Sequence, residues 1–126
     1  MPPKTILVVD DERDIREGVA MVLEDEGYRV LHAHHGAEAL GLLERRLADG
    51  QELPGLIVLD LFMPVMDGRQ LLAALAESPH LAGLPVLLTT ASERQAHHDL
   101  LPRVQATLRK PIELGEFLDL VAAHCR

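Results

Sequence analysis

Leu56-Ile57-Val58-Leu59-Asp60-Leu61-Phe62-Met63-Pro64-Val65-Met66-Asp67-Gly68 is the stretch on which the reading of this chain turns. Its first four residues are apolar without alternation, the pattern of a strand buried on both faces. The strand ends on a carboxylate, Asp60, and a loop follows that closes at Asp67-Gly68. A charge directly after such a run does not serve packing. In open α/β sheets ligands bind where the strands end, so Asp60 stands where chemistry is expected.

Working outward, the same design recurs. Upstream, Thr5 to Val9 is a second apolar run that stops at Asp10-Asp11-Glu12. Ile15, Val19, Val22 and Leu23 follow at the spacing of one helix face, and Gly27 is a plausible stop. Tyr28 to Ala33 reads as a strand, His34-His35-Gly36 as a turn, and Leu40, Leu43 and Leu47 as a helix face. Downstream, Asp67 with Gln70 forms a cap for a helix that turns Leu71, Leu72 and Leu75 inward. Ser78 to Gly83 is loop, and Pro85 to Thr89 is a strand closing on the hydroxyls of Thr89 and Thr90. Ser92 with Gln95 resembles a capping box for a short helix to Leu101, ended by Pro102. Val104 to Leu108 is the last strand and runs into Arg109-Lys110-Pro111. Leu114, Phe117, Leu118 and Val121 mark the last helix. Strand and helix thus alternate five times, which predicts a single-domain α/β fold, a (βα)5 doubly wound parallel sheet.

Composition narrows the function. With 126 residues the chain is expected to form one domain over 1–126, with no effector domain attached. Its 48% apolar content contains only three aromatics, Tyr28, Phe62 and Phe117, so stacking platforms for bases are missing. A net charge of −8 disfavours direct contact with nucleic acid or an anionic membrane. It suits a divalent cation, although solubility alone also explains it. Cys125 has no partner for a disulfide, the N-terminus Met1-Pro2-Pro3-Lys4 lacks an apolar signal region, and no apolar run approaches ~18 residues. A cytoplasmic location is expected.

In a parallel sheet all strand C-termini share one edge. The first strand brings Asp10 and Asp11 there, the third Asp60, the fourth Thr90 and the fifth Lys110. Three carboxylates repel one another unless a proton or a cation neutralises them. Oxygen donors on an open edge favour Mg2+. Carboxylates, a hard metal, a lysine and a hydroxyl together suit phosphoryl transfer, in which positive charge stabilises the transferring oxygens. A carboxylate oxygen can be the nucleophile, giving an aspartyl phosphate. Asp60, alone on a central strand, is the best candidate. Asp67 is read as a cap, Thr89 as packing, and His32, His34, His35, His97 and His98 as solvated surface without metal-ligand spacing.

These pieces resemble the receiver domain of two-component response regulators. The resemblance rests on Ile6-Leu7-Val8-Val9-Asp10-Asp11, on Ala33 to Leu40, on Asp60 to Gly68, on Pro85 to Ala91 and on Lys110-Pro111, in family order over nearly the whole chain. It implies a flavodoxin-like sheet of order 2-1-3-4-5. It further implies that Asp60 accepts a phosphoryl group from a histidine kinase or histidine phosphotransfer protein. Asp10, Asp11, Asp60 and the backbone carbonyl of Phe62 would hold Mg2+, Lys110 would pair with the phosphoryl group, and Thr90 would hydrogen-bond to it. A downstream protein would read the change on the last two helices and last strand. Such a domain is not a metabolic enzyme; its chemistry is limited to its own phosphorylation and dephosphorylation.

Three positions depart from the family pattern. Thr107 stands where receivers commonly carry Phe or Tyr, which argues against switching by a ring rotation. Phe62, two residues after Asp60, lies beside the expected path of hydrolytic water and implies slow loss of the phosphoryl group; Ser92 is a second residue placed to tune that rate. Asp99-Leu100-Leu101-Pro102-Arg103 replaces the usual small-residue turn. Competing readings fit less well. An aspartate-nucleophile, Mg2+-dependent phosphatase places Asp-x-Asp after its first strand, a non-phosphorylated scaffold receiver lacks one of the key residues, and a flavodoxin needs a phosphate loop that is missing here.

Overall fold

The computed structural model describes residues 3–91 and 104–126. Its centre is β3 (Leu56–Asp60), which pairs in parallel with β1 (Thr5–Val9) on one side and β4 (Val86–Thr90) on the other. β2 (Arg29–Ala33) flanks β1, and β5 (Ala106–Arg109) flanks β4. The order β2-β1-β3-β4-β5 is the flavodoxin-like order that the family resemblance implies. Register brings the strand ends level: Val9 lies opposite Leu59, Asp60 opposite Thr89, and Thr90 opposite Arg109.

Strand side chains alternate in direction, so an uninterrupted apolar strand supplies two cores. Leu7, Val9, Ile57, Leu59 and Leu88 face one way, joined by Ala39 and Leu43 of α2 (Gly36–Ala48) and Leu71, Leu72 and Leu75 of α3 (Gly68–Glu77). Ile6, Val8, Leu56, Val58 and Leu87 face the other, joined by Leu23 of α1 (Arg13–Asp25) and Phe117 and Val121 of α4 (Leu114–His124). No helix among the described residues is long and apolar enough to cross a membrane. The helix expected over Ser92–Leu101, with His97, His98 and the segment Asp99 to Arg103, lies outside the described residues.

Two helix faces differ from the apolar spacing. In α1 the buried line is Arg16, Ala20 and Leu23, while Ile15, Val19 and Val22 are only half-buried. The rotation follows from Arg16, whose guanidinium reaches inward to the end of β1. In α2 the buried line is Gly36, Ala39 and Leu43, and Leu47 lies 36% exposed. Here Gly36 sets the rotation, because its N–H donates to the Met66 carbonyl at 2.8 Å and a Cβ would meet the Met66 side chain. Leu114, expected inward in the last helix, is 51% exposed, whereas Phe117 and Val121 are buried as expected.

Candidate functional site

The C-terminal edge of the sheet brings together the acids that the sequence singled out. Asp10, Asp11 and Asp60 each offer a carboxylate oxygen, and these atoms lie within 4.8 Å of one another. Asp10 and Asp60 are buried, at 4% and 5% exposure, while Asp11 is open to solvent. The backbone fixes the arrangement. Asp10 N–H donates to Ala33 O at the end of β2, and Leu61 N–H to Thr89 O at the end of β4.

Asp10 is not a helix cap. The N-cap of α1 is Glu12, whose side chain makes no capping bond. Instead, Asp10 Oδ1 accepts the Glu12 N–H at 3.0 Å and Oδ2 accepts a hydrogen bond from Lys110 Nζ at 2.9 Å. The same ammonium stands 3.5 Å from Asp60 Oδ1. Lys110 is delivered by the end of β5, its N–H donating to Thr90 O at 2.8 Å, and the Lys110–Pro111 peptide is cis. Thr90 is buried at the adjacent strand end, and the Thr89 hydroxyl is turned toward Leu59 O, in line with a packing role.

The electrostatics follow from burial of like charges. Desolvation, then the charge of Asp10, push the Asp60 carboxyl up from 3.8 to about 6; Lys110 opposes them and Asp11 adds to them. Burial acts to lower the Lys110 pKa, but its hydrogen bond to Asp10 and the charges of Asp60 and Asp10 outweigh it, so the net shift is upward. The ammonium is therefore held charged inside the acid cluster.

The loop after β3 forms the rim. Phe62 is 55% exposed and Val65 is 77% exposed. Val65 has φ 67, a left-handed conformation that a β-branched side chain tolerates poorly. Asp67 and Gln70 form the expected capping box, each side chain accepting the other's backbone N–H at 2.9 and 3.0 Å. Gly68 is required here, since a Cβ would lie 2.9 Å from both Asp60 O and Leu61 Cα. Of the histidines, His34 pairs with Glu38 at 2.9 Å and His35 Nδ1 accepts the Glu38 N–H, as expected for surface groups.

One buried group escaped the sequence reading. Arg16, 5% exposed, donates from Nη1 to the Asp10 backbone carbonyl at 2.9 Å, and its Nε is buried without an acceptor. The available signal was its place on one helical line with Ala20 and Leu23.

The donor set of Asp10, Asp11 and Asp60 fits a hard metal ion. It is all oxygen, carries three potential negative charges, and includes one solvent-facing carboxylate, which suits a hard cation that retains water.

Comparison with known proteins agrees with the fold. The family model for the response regulator receiver domain matches residues 6–122. The chain is 40% identical over 122 residues to a 14.6 kDa protein from the sodA1 3' region of Leptolyngbya boryana, covering 95% of this chain and 88% of that one. It is 37% identical over 125 residues to the response regulator MprA of Mycobacterium avium, covering 96% of this chain but spanning only 50% of MprA. Among solved structures, the Vibrio cholerae chemotaxis protein CheY4 superposes with a TM-score of 0.84 at 26% identity, over 97% of this chain and 98% of that one.

Proposed function

The chain belongs to the response regulator receiver domain family, and from that premise we propose that it is a phosphoacceptor in a two-component system, with Asp60 as the acceptor. The carrying observation is the convergence on Asp60 of two further carboxylates and an ammonium at one sheet edge.

Asp10, Asp11 and Asp60, with the backbone carbonyl of Phe62, are the groups that would hold Mg2+. When bound, Mg2+ supplies positive charge that offsets the carboxylates and the phosphoryl oxygens. Asp60 acts as nucleophile: a carboxylate oxygen attacks the phosphorus of a phosphohistidine, the O–P bond forms, the P–N bond breaks, and the imidazole leaves with its electron pair. Lys110 exchanges its contact with Asp10 for the transferred group, and Thr90 donates its hydroxyl to a phosphoryl oxygen. Burial of Asp60 keeps bulk water from the new acyl phosphate. The donor is a histidine kinase or histidine phosphotransfer protein. The recipient of the signal is a protein that reads the last two helices and last strand, of which β5 and α4 lie among the described residues. The cytoplasm is the compartment that supplies such partners.

Incubation with acetyl phosphate and Mg2+, followed by intact-protein mass spectrometry, tests the assignment. One phosphoryl group is expected on the wild type and none on Asp60→Asn; a phosphoryl adduct that persists in Asp60→Asn overturns it.

A further inference from the structure

Arg16 lies where α1 faces the sheet, on one buried line with Ala20 and Leu23. Burying a guanidinium is costly, and an apolar side chain of similar volume is often neutral or better. The buried cation therefore calls for a specific acceptor, and the structure supplies one in the Asp10 carbonyl, 2.9 Å from Nη1.

That carbonyl belongs to the peptide joining Asp10 to Asp11. The peptide unit is planar, so fixing the direction of its C=O also fixes the plane from which the Asp11 Cα departs. Asp10 is already held at its other end by its N–H bond to Ala33 O at 3.1 Å. Asp11, by contrast, lies beyond the last residue of β1, exposed, with no strand pairing to hold it.

We propose that Arg16 is a positioning residue for the divalent cation: by clamping the Asp10 carbonyl from helix α1 it orients the Asp10–Asp11 peptide, and so sets the aim of the solvent-facing carboxylate. This rests on the metal-assisted phosphoacceptor reading above, and it concerns a residue that touches neither metal nor phosphoryl group.

The test is calorimetric titration of the EDTA-treated, desalted full chain with MgCl2, together with thermal unfolding in EDTA. Arg16→Met removes the donor at nearly constant length, Arg16→Gln shortens it out of reach, and Arg16→Lys keeps a donor. Arg16→Met and Arg16→Gln are expected to weaken Mg2+ binding about tenfold, about 1.4 kcal/mol. Arg16→Lys is expected to stay within about threefold of the wild type, about 0.7 kcal/mol. A purely structural role lowers the unfolding midpoint in EDTA and leaves affinity untouched. Wild-type Mg2+ affinity in either folded variant overturns the proposal, as does an Arg16→Lys protein that binds as weakly as Arg16→Met. Absence of Mg2+ binding by the wild type itself removes the metal reading, and this proposal with it.

Discussion

Lys110 Nζ sits closer to Asp10 than to Asp60, at 2.9 Å from Asp10 Oδ2 and 3.5 Å from Asp60 Oδ1. The lysine thus bridges the acid cluster, and its charge opposes the rise in the Asp60 pKa caused by burial and Asp10.

Lys110→Ala therefore raises the Asp60 pKa above its present value of about 6 in the absence of metal. Two carboxylates are left facing each other with the opposing charge gone. An NMR titration of the Asp60 carboxyl carbon in EDTA reads this directly, and an unchanged or lower midpoint would contradict the arrangement described.

The acid cluster also makes stability depend on pH. Asp60 takes up its proton at about 6 in the folded chain against an ordinary 3.8. Between those values the folded state holds more protons than the unfolded state, so stability rises as pH falls through that window and the penalty of the carboxylate is complete above it. Asp60→Asn removes the penalty. It is expected to stabilise the metal-free protein by about 1–2 kcal/mol at pH 7, after allowance for solvent screening. The gain shrinks toward zero as the lower value is approached. Urea unfolding of both proteins at several pH values checks the trend; equal stability at pH 7 would refute it.

Val65→Gly should stabilise the chain. The left-handed φ of 67 costs a β-branched residue more than it costs glycine, and the Val65 side chain, 77% exposed, has little packing to lose. The expected gain is about 1 kcal/mol, after the entropy that glycine adds to the unfolded chain is deducted. That corresponds to a rise in melting temperature of roughly 3–5 °C for a domain of this size. A melting temperature at or below that of the wild type would show that the loop is held by contacts made through Val65.

Much of the fold was legible because the strands are apolar on both faces and stop on charged or hydroxyl residues. Asp60, Asp10-Asp11, Thr90 and Lys110 mark the ends of four strands, and one sheet edge gathers them. Helix faces were less legible. Leucine spacing put Leu47 and Leu114 inward, but the orientation of α2 is set by the contact of Gly36 with Met66, a tertiary event that periodicity does not carry. Arg16 was missed for a related reason. A charged residue at the edge of an apolar stripe reads as solvated until its acceptor, a backbone carbonyl six residues earlier in the chain, is seen in space.

Phe62 gives the remaining prediction. Its ring stands half in solvent on the rim of the site and not in the core, so replacing it costs little packing. Phe62→Asn should speed loss of the phosphoryl group about three- to tenfold, a barrier change of roughly 0.7–1.4 kcal/mol. Decay of the phosphorylated proteins, followed by mass spectrometry after removal of the donor, gives the comparison; matching half-lives would leave Phe62 without a part in signal duration.

The contact of Gly36 with Met66 carries a mechanical consequence. The first turn of α2 and the loop that holds Phe62 and Val65 are bolted together, by the Gly36 N–H bond to Met66 O and by a surface fit with no room for a methyl group. The corner after β2 and the rim after β3 therefore form one brace, although they are far apart along the chain. Exchanging the Phe62–Met66 segment by itself would break that fit. The start of α2 has to travel with it, as two halves of a single hinge plate.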